Sequence, residues 1–245
     1  MDERAIAEMA AHVRRSRELA VLTGAGISTA SGIPDFRSAS GLYSRPGGAN
    51  VFELDAFDRD PSYFYRFARD FYPTVRRAAP NRAHTVLAEW ARDGRRGCIA
   101  TQNVDDLHQR AGSSDVYPVH GTFLTSTCRQ CRGRTPTRAL EPAIERGEVP
   151  HCPCGGVWKP DITFFGEMLP PEAWEQSLRA MQDADLVLVL GTSLAVYPAA
   201  ALPGYRAPGT PLIIVNRDAT ALDDEAEVAI AGDLAETLGA VQAAL

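Results

Sequence analysis

The segment that most restricts the fold lies between residues 19 and 28. Leu-Ala-Val-Leu at 19–22 is an apolar run of strand length, and it passes directly into Thr23-Gly24-Ala25-Gly26-Ile27-Ser28. A buried strand ending in a glycine-rich turn and a small-residue helix start is the opening unit of a nucleotide-binding α/β fold. The glycines let the backbone turn tightly and approach a pyrophosphate, and the helix start offers free N–H groups and a positive dipole end. Thr29 stands where the usual G-x-G-x-x-G has its third glycine, and Gly32 follows three residues later. Taken alone, this turn is equally compatible with a ligand-free strand–helix connection. Five more short apolar segments, 97–101, 116–119, 186–190, 212–215 and 228–230, alternate with helical stretches. Together they predict a doubly wound, Rossmann-like parallel sheet covered on both faces. An amphipathic helix is expected over 4–18.

Two regions break the alternation. Residues 33–80 are dense in aromatic and turn residues, and residues 122–160 carry cysteines with Pro, Gly and Arg between them. Both read as insertions into one parent domain built from 1–32, 81–121 and 161–245. The first is a helical and cofactor-loop insertion, and the second a zinc-binding one. The chain has 245 residues, 45% of them hydrophobic and 23% charged, ordinary values for an enzyme domain. A net charge of −6 is opposite in sign to that of a protein that tracks a nucleic-acid backbone. The first twenty residues lack the apolar core of a signal peptide, and the apolar run at 186–190 is too short to span a bilayer. A cytoplasmic protein that binds neither nucleic acid nor membrane is expected. Nothing in the sequence sets an oligomeric state, and a monomer is compatible with it.

Four of the five cysteines form two close pairs, Cys128-x-x-Cys131 and Cys152-x-Cys154. Such pairing in a cytosolic chain points to a structural zinc ion before disulfides. The single-residue spacing of the second pair is shorter than the usual knuckle, and His151 is an alternative fourth ligand. Lys159 is the only lysine among 25 basic residues, a skew of genomic base-composition type to which no role is assigned.

Several polar residues fall at strand ends, where α/β folds bind ligands. His120 follows the 116–119 segment and can accept a hydroxyl proton near neutral pH, or serve as a hydrogen-bonded structural residue. Gln102, Asn103 and Asp105 follow the 97–101 segment. Their amide and acid groups suit ribose hydroxyls or a carboxamide, and Asn103 also suits a helix cap. His108 reads as a structural residue of the following helix. Beyond Pro34 comes a loop with Asp35, Phe36 and Arg37, able to close over a ligand. Thr192 and Ser193 suit either a nucleotide site or a helix cap, and Asn216 ends a strand.

Gly24-Ala25-Gly26-Ile27-Ser28-Thr29 with Gly32-Ile33-Pro34-Asp35-Phe36-Arg37 resembles the first signature of the sirtuin family. Thr101-Gln102-Asn103-Val104-Asp105, His120-Gly121, the stretch from Lys159 to Phe165-Gly166-Glu167, Gly191-Thr192-Ser193 and Val215-Asn216 continue the likeness in family order over roughly 20–235. The resemblance implies NAD⁺-dependent removal of acetyl or other acyl groups from lysines of protein or peptide substrates. In that reaction the acyl oxygen displaces nicotinamide at the ribose carbon, and His120 accepts a proton from a ribose hydroxyl. The hydroxyl attacks the bound imidate, and water completes release of lysine and O-acyl-ADP-ribose. His120 and Asn103 are the implied catalytic residues. Ala25, Thr29, Asp35, Phe36, Arg37, Tyr43, Gln102, Asn103, Asp105, His120, Thr192, Ser193, Asn216 and Leu234 are the implied NAD residues. Val104, Phe165, Gly166, Glu167 and Val196 fall on the substrate side, the peptide adding as a strand between 165–167 and 194–196. Cys128, Cys131, Cys152 and Cys154 would hold the zinc ion.

Family members that prefer succinyl or malonyl groups carry a Tyr-x-x-Arg in the acyl pocket. Tyr63-x-x-Arg66 has that spelling, but counting from Asp60-Pro61 places Phe67-Ala68 at the pocket instead. An apolar wall there suits acetyl and leaves a distal carboxylate unpaired.

Overall fold

A computed structural model describes residues 2–36, 41, 51–94 and 96–245; Arg37 and Tyr43 therefore lie outside the described residues. Helix α1 (Glu3–Arg15) leads into β1 (Glu18–Thr23), whose residues from Leu19 onward are buried. The helix stops three residues short of the expected end. Asp185, remote in sequence, accepts hydrogen bonds from the Ser16 hydroxyl and from the N–H groups of Arg17 and Glu18, which pulls this stretch straight.

The main sheet contains β1, β2 (Arg96–Thr101), β3 (Val116–Pro118), β7 (Leu186–Leu190), β8 (Leu212–Asn216) and β9 (Val228–Ala231) in the order β3-β2-β1-β7-β8-β9. Every pairing is parallel. All six strands coincide within a residue or two with the apolar segments read from the sequence. Helices α1, α4 (Arg82–Arg92) and α8 (Leu234–Ala243) bury Met9, Val13, Trp90 and Leu238 against one face of the sheet. Helix α7 (Pro171–Asp183) buries Met181 against the other. From the β1/β7 boundary the strand order runs outward in both directions, which makes the crevice beyond their C-terminal ends the topological switch point.

A second, antiparallel sheet joins β4 (Gly121–Cys128), β5 (Arg134–Pro136) and β6 (Trp158–Ile162) in the order β5-β4-β6. Its neighbours are α2 (Leu54–Arg59), α3 (Pro61–Arg77) and α6 (Glu141–Glu145). One aromatic core serves both interruptions of the sequence pattern. Phe57, Phe64 and Tyr65 from the first meet Phe123 and Ile144 from the second, together with Phe164. Helix α5 (Leu107–Ala111) is a single short segment between β2 and β3.

After β1 the chain forms a 3-10 helix, Ala25–Ser31, and no regular α-helix. Its first turn closes through the i→i+3 bond from Ile27 N–H to Gly24 O, and the Ile27 carbonyl is held by the Asn81 side chain. Gly32 ends the turn with φ 84°.

Candidate active site

The first wall of the site is backbone packed on backbone. Gly24 N–H donates to Leu190 O and Gly26 N–H to Gly191 O, which fastens the turn after β1 to the turn after β7. A Cβ on Gly24 would lie 2.6 Å from Thr192 Cβ, and one on Gly26 would lie 2.8 Å from Gly191 Cα. Glycine at 24 and 26 is thus required by the strand junction itself. The junction opens into a cleft of about 620 Å³.

Asn103 sits at the bottom of this cleft, 6% exposed. Its amide nitrogen donates to Gly24 O (3.1 Å) and Ser28 Oγ (3.2 Å). A carbonyl can only accept, and the Ser28 hydroxyl gives its own proton to Asp105 Oδ2 at 2.9 Å. Both amide protons are therefore committed, and the group left for a ligand is the amide oxygen, an acceptor for a hydroxyl. Asp105 stands one layer behind, outside the cleft wall. Burial raises its pKa, while bonds from Leu107 N–H and Ser28 oppose the rise. It precedes Asp106, the N-cap of α5, and its carboxylate accepts from Leu107 N–H and from Ser28, so Asn103 takes no part in capping that helix.

Behind Asn103 two buried imidazoles form an edge-to-face pair, His84 and His108, with centroids 4.9 Å apart. His108 Nε2 lies 3.1 Å from Thr23 Oγ1, Thr23 donates to Thr101 Oγ1, and Thr101 Oγ1 accepts from Asn103 N–H. His84 Nδ1 accepts from Asn81 N–H, and Asn81 holds Ile27 O and Ser31 Oγ of the 3-10 helix. Burial lowers the pKa of His84 to about 4; burial, with the neighbouring His84, lowers that of His108 to about 3. Both are neutral at pH 7.

His120 enters from the end of β3. Its Nδ1 lies 3.1 Å from the Gln102 carbonyl. The carbonyl only accepts, so neutral His120 carries its proton on Nδ1 and its lone pair on Nε2, the form that a general base needs. Gln102 reaches across to donate to Thr192 Oγ1 at 2.9 Å. No helix starts at Thr192 or Ser193; Thr192 instead caps a turn by accepting from Leu194 N–H.

The cleft wall also holds Ala25, Thr29, Asp35, Phe36, Val104, Ser193, Val196, Asn216 and Leu234. Phe165, Gly166 and Glu167 form part of the mouth. Phe165 bonds through its main chain to Phe52 O and Leu54 N and is 41% exposed. Tyr63, Arg66, Phe67 and Ala68 are absent from the wall among the described residues. Arg66 is exposed and donates to Ser62, and Phe67 stands behind Phe52 at 5.4 Å. Phe36, Phe52, Ile162 and Phe164 are among the apolar residues of the wall. Met168, Trp174 and Tyr197 also line the mouth and carry no local sequence signal. Asp233 does carry one: it is the N-cap of α8 and lines the cleft beside Leu234.

The four paired cysteines offer sulfurs that all lie within 4.8 Å of one another. Cys128 and Cys154 are 3.5 Å apart, Cys131 and Cys152 3.7 Å. A tetrahedron with metal–sulfur bonds of about 2.3 Å has edges of roughly 3.8 Å, so the donor set fits a zinc ion. The short second spacing works because the chain doubles back, with Gly155 N–H donating to Cys152 O and Cys152 N–H to Gly156 O. Backbone N–H groups of Cys131 and Gln130 lower the pKa of the Cys128 thiol. His151 is exposed and lies 3.4 Å from Gly155 O, outside the sulfur cluster. The four cysteines, and not a set with His151, are the group that fits a zinc ion.

The Sir2 family model matches residues 24–198. The NAD-dependent protein deacetylase of Thermotoga maritima is 41% identical over 91% of this chain and 92% of its own. A Sir2 variant solved with deacetylated p53 peptide and 3′-O-acetyl-ADP-ribose superposes with a TM-score of 0.92 at 39% identity, covering 96% of each chain. A Sir2 complex with p53 peptide and NAD⁺ gives 0.89 at 39% identity, again over 96% of each. On this match and these identities, the chain belongs to the Sir2 family.

Proposed function

We propose that the chain is an NAD⁺-dependent protein-lysine deacylase, acting chiefly on acetyl-lysine and yielding nicotinamide, lysine and O-acyl-ADP-ribose. The observation that carries this reading is the pairing of two complementary groups in one cleft. His120 offers a lone pair and Asn103 an amide oxygen, both set by hydrogen bonds that fix their chemistry before any ligand arrives. The relatives and the solved Sir2 complexes carry the same activity and ligands in their names.

NAD⁺ supplies a ribose carbon from which nicotinamide departs as the acyl oxygen bonds to it. The protein's share is placement and proton transfer. Asn103 accepts from a hydroxyl of the nicotinamide-side ribose, and Asp105 acts through Ser28 to keep that amide turned. His120 takes a hydroxyl proton at Nε2. Ala25, Thr29 and Gln102 face the phosphate and nicotinamide side. Thr192, Ser193, Asn216 and Leu234 face the adenosine half. Phe36 lies edge-on to Phe52 and Phe71 and shields the reacting carbon from water. Asp35, with Arg37 and Tyr43 of the following segment, completes the NAD set. Val104, Val196 and the main-chain edge at Phe165, Gly166 and Glu167 receive the acyl-lysine segment, a mode with loose sequence selectivity. The zinc ion holds β4 and the 152–156 turn together in a module too small to build a separate core. The chain divides into a parent domain (1–32, 81–121, 161–245) with a helical insertion (33–80) and a zinc insertion (122–160). A four-thiolate site and a free Cys98 suit a reducing, cytoplasmic compartment. Among the described residues, no helix is long and apolar enough to cross a membrane.

The test is one incubation with NAD⁺ and an acetyl-lysine peptide, with both products followed by mass. Equal release of nicotinamide and deacetylated peptide supports the assignment. Nicotinamide release without deacetylation would replace it with ADP-ribosyl transfer.

A further inference from the structure

We infer that Lys159 is a positioning residue for the substrate-side turn 164–167, acting through Glu167. Lys159 lies on β6, beside Thr127 of β4, and is 5% exposed. It does not reach the cleft wall. Its ammonium is ringed by three oxygen acceptors: Ile162 O at 2.7 Å, Glu167 Oε2 at 2.7 Å and Pro160 O at 3.4 Å. It also sits 4.0 Å from the centroid of the Phe164 ring. The same Glu167 oxygen accepts from Phe164 N–H at 2.8 Å, and Glu167 N–H donates to Phe164 O. The turn is thereby closed on itself and tied to β6 by one ion pair. What the turn presents is the exposed Phe165 and the edge that faces the cleft mouth.

Composition adds an independent argument. Of the 25 lysine and arginine side chains in the sequence all but Lys159 are arginine, so an interchangeable lysine at 159 would be arginine too. A compact tripod of three N–H donors fits three converging oxygens, whereas a flat guanidinium fork does not. Burial pulls the ammonium's pKa down, and the Glu167 carboxylate pulls it back up.

The inference rests on the acyl-lysine reading of the cleft, which wild-type turnover of an acetylated peptide tests separately. Steady-state kinetics on Lys159→Met, Glu167→Gln and the double variant then test Lys159. Lys159→Met is expected to raise KM for the acetyl-lysine peptide about tenfold, the scale of one charge-assisted hydrogen bond, with KM for NAD⁺ changed less than about twofold. Because the two groups act as one unit, the double variant should be within about twofold of the worse single. Equal rises in both KM values, or independent multiplication of the two single effects, would overturn the inference. Should Lys159→Met fail to fold, the wild type still decides. Acetic anhydride labels one lysine only, so mass mapping reads Lys159 alone. Saturating acetyl-lysine peptide, without NAD⁺, should slow that labelling at least about fivefold if the peptide braces the turn against opening. An unchanged labelling rate would refute the clamp.

Discussion

Lowering the pH from 7 to about 4.5 should cost this protein several kcal/mol through His84 and His108 alone. Both are held neutral in the fold, with pKa values lowered from 6.5 to about 4 and about 3 by burial, and for His108 also by the neighbouring His84. The sign follows from which state takes up protons first. Below pH 6.5 the unfolded chain protonates these imidazoles while the folded chain does not, so stability is fully present above that pH and falls as pH descends toward the folded values. At about pH 4.5 the unfolded histidines lie about two pH units below their pKa, worth about 2–3 kcal/mol each and about 5 kcal/mol for the pair. His108→Gln isolates one half, since the glutamine amide retains an N–H donor for Thr23. Urea unfolding of both proteins at the two pH values gives the readout. Wild type should lose about 2–3 kcal/mol more than the variant on acidification, by the same linkage. Zinc release at low pH affects both proteins alike and cancels in that difference. Equal losses would show that His108 titrates normally in the fold, and the buried-imidazole argument would fail.

Replacing Asn103 by Ala leaves Gly24 O and Ser28 Oγ without their donor and removes the hydroxyl acceptor; kcat for deacetylation should fall at least about a hundredfold, with peptide KM little changed. Phe64→Ala opens the aromatic core that joins α2 and α3 to the antiparallel sheet, where Phe64 contacts Phe52, Phe57 and Phe164, and should destabilise the fold by about 3–5 kcal/mol in thermal or urea unfolding. A strong chelator at pH 7 should extract one zinc ion per chain and abolish the 128–158 strand pairing, read by hydrogen exchange at β4, while α1 and α4 keep their protection.

Much of this architecture was legible because its strands are buried on both faces. Runs such as 186–190 stay apolar along their full length, and they announce a parallel sheet without help from the rest of the chain. Motif spacing likewise identified the cysteines and the polar residues after β2. What local pattern could not supply came from distant partners. The end of α1 depends on Asp185, and the turn after β1 is held in place by Asn81. Asp105 belongs behind Asn103 because Ser28, far away in sequence, lies between them. The acyl wall was misplaced by counting along one helix: Phe67 falls behind Phe52, a residue supplied by another segment. The Cys152-x-Cys154 spacing looked too short because the turn through Gly155 and Gly156 has no counterpart in the spacing rule. Mouth residues such as Met168 and Tyr197 gave no warning, since an exposed side chain beside a ligand has the same sequence as one beside water.

His120 and Asn103 are proposed to serve the same sugar. A crystal structure of the protein with NAD⁺ and an acetyl-lysine peptide measures this directly. His120 Nε2 and Asn103 Oδ1 should both lie within hydrogen-bonding distance of hydroxyls on the nicotinamide-side ribose. A dinucleotide bound with that ribose away from either group would contradict it.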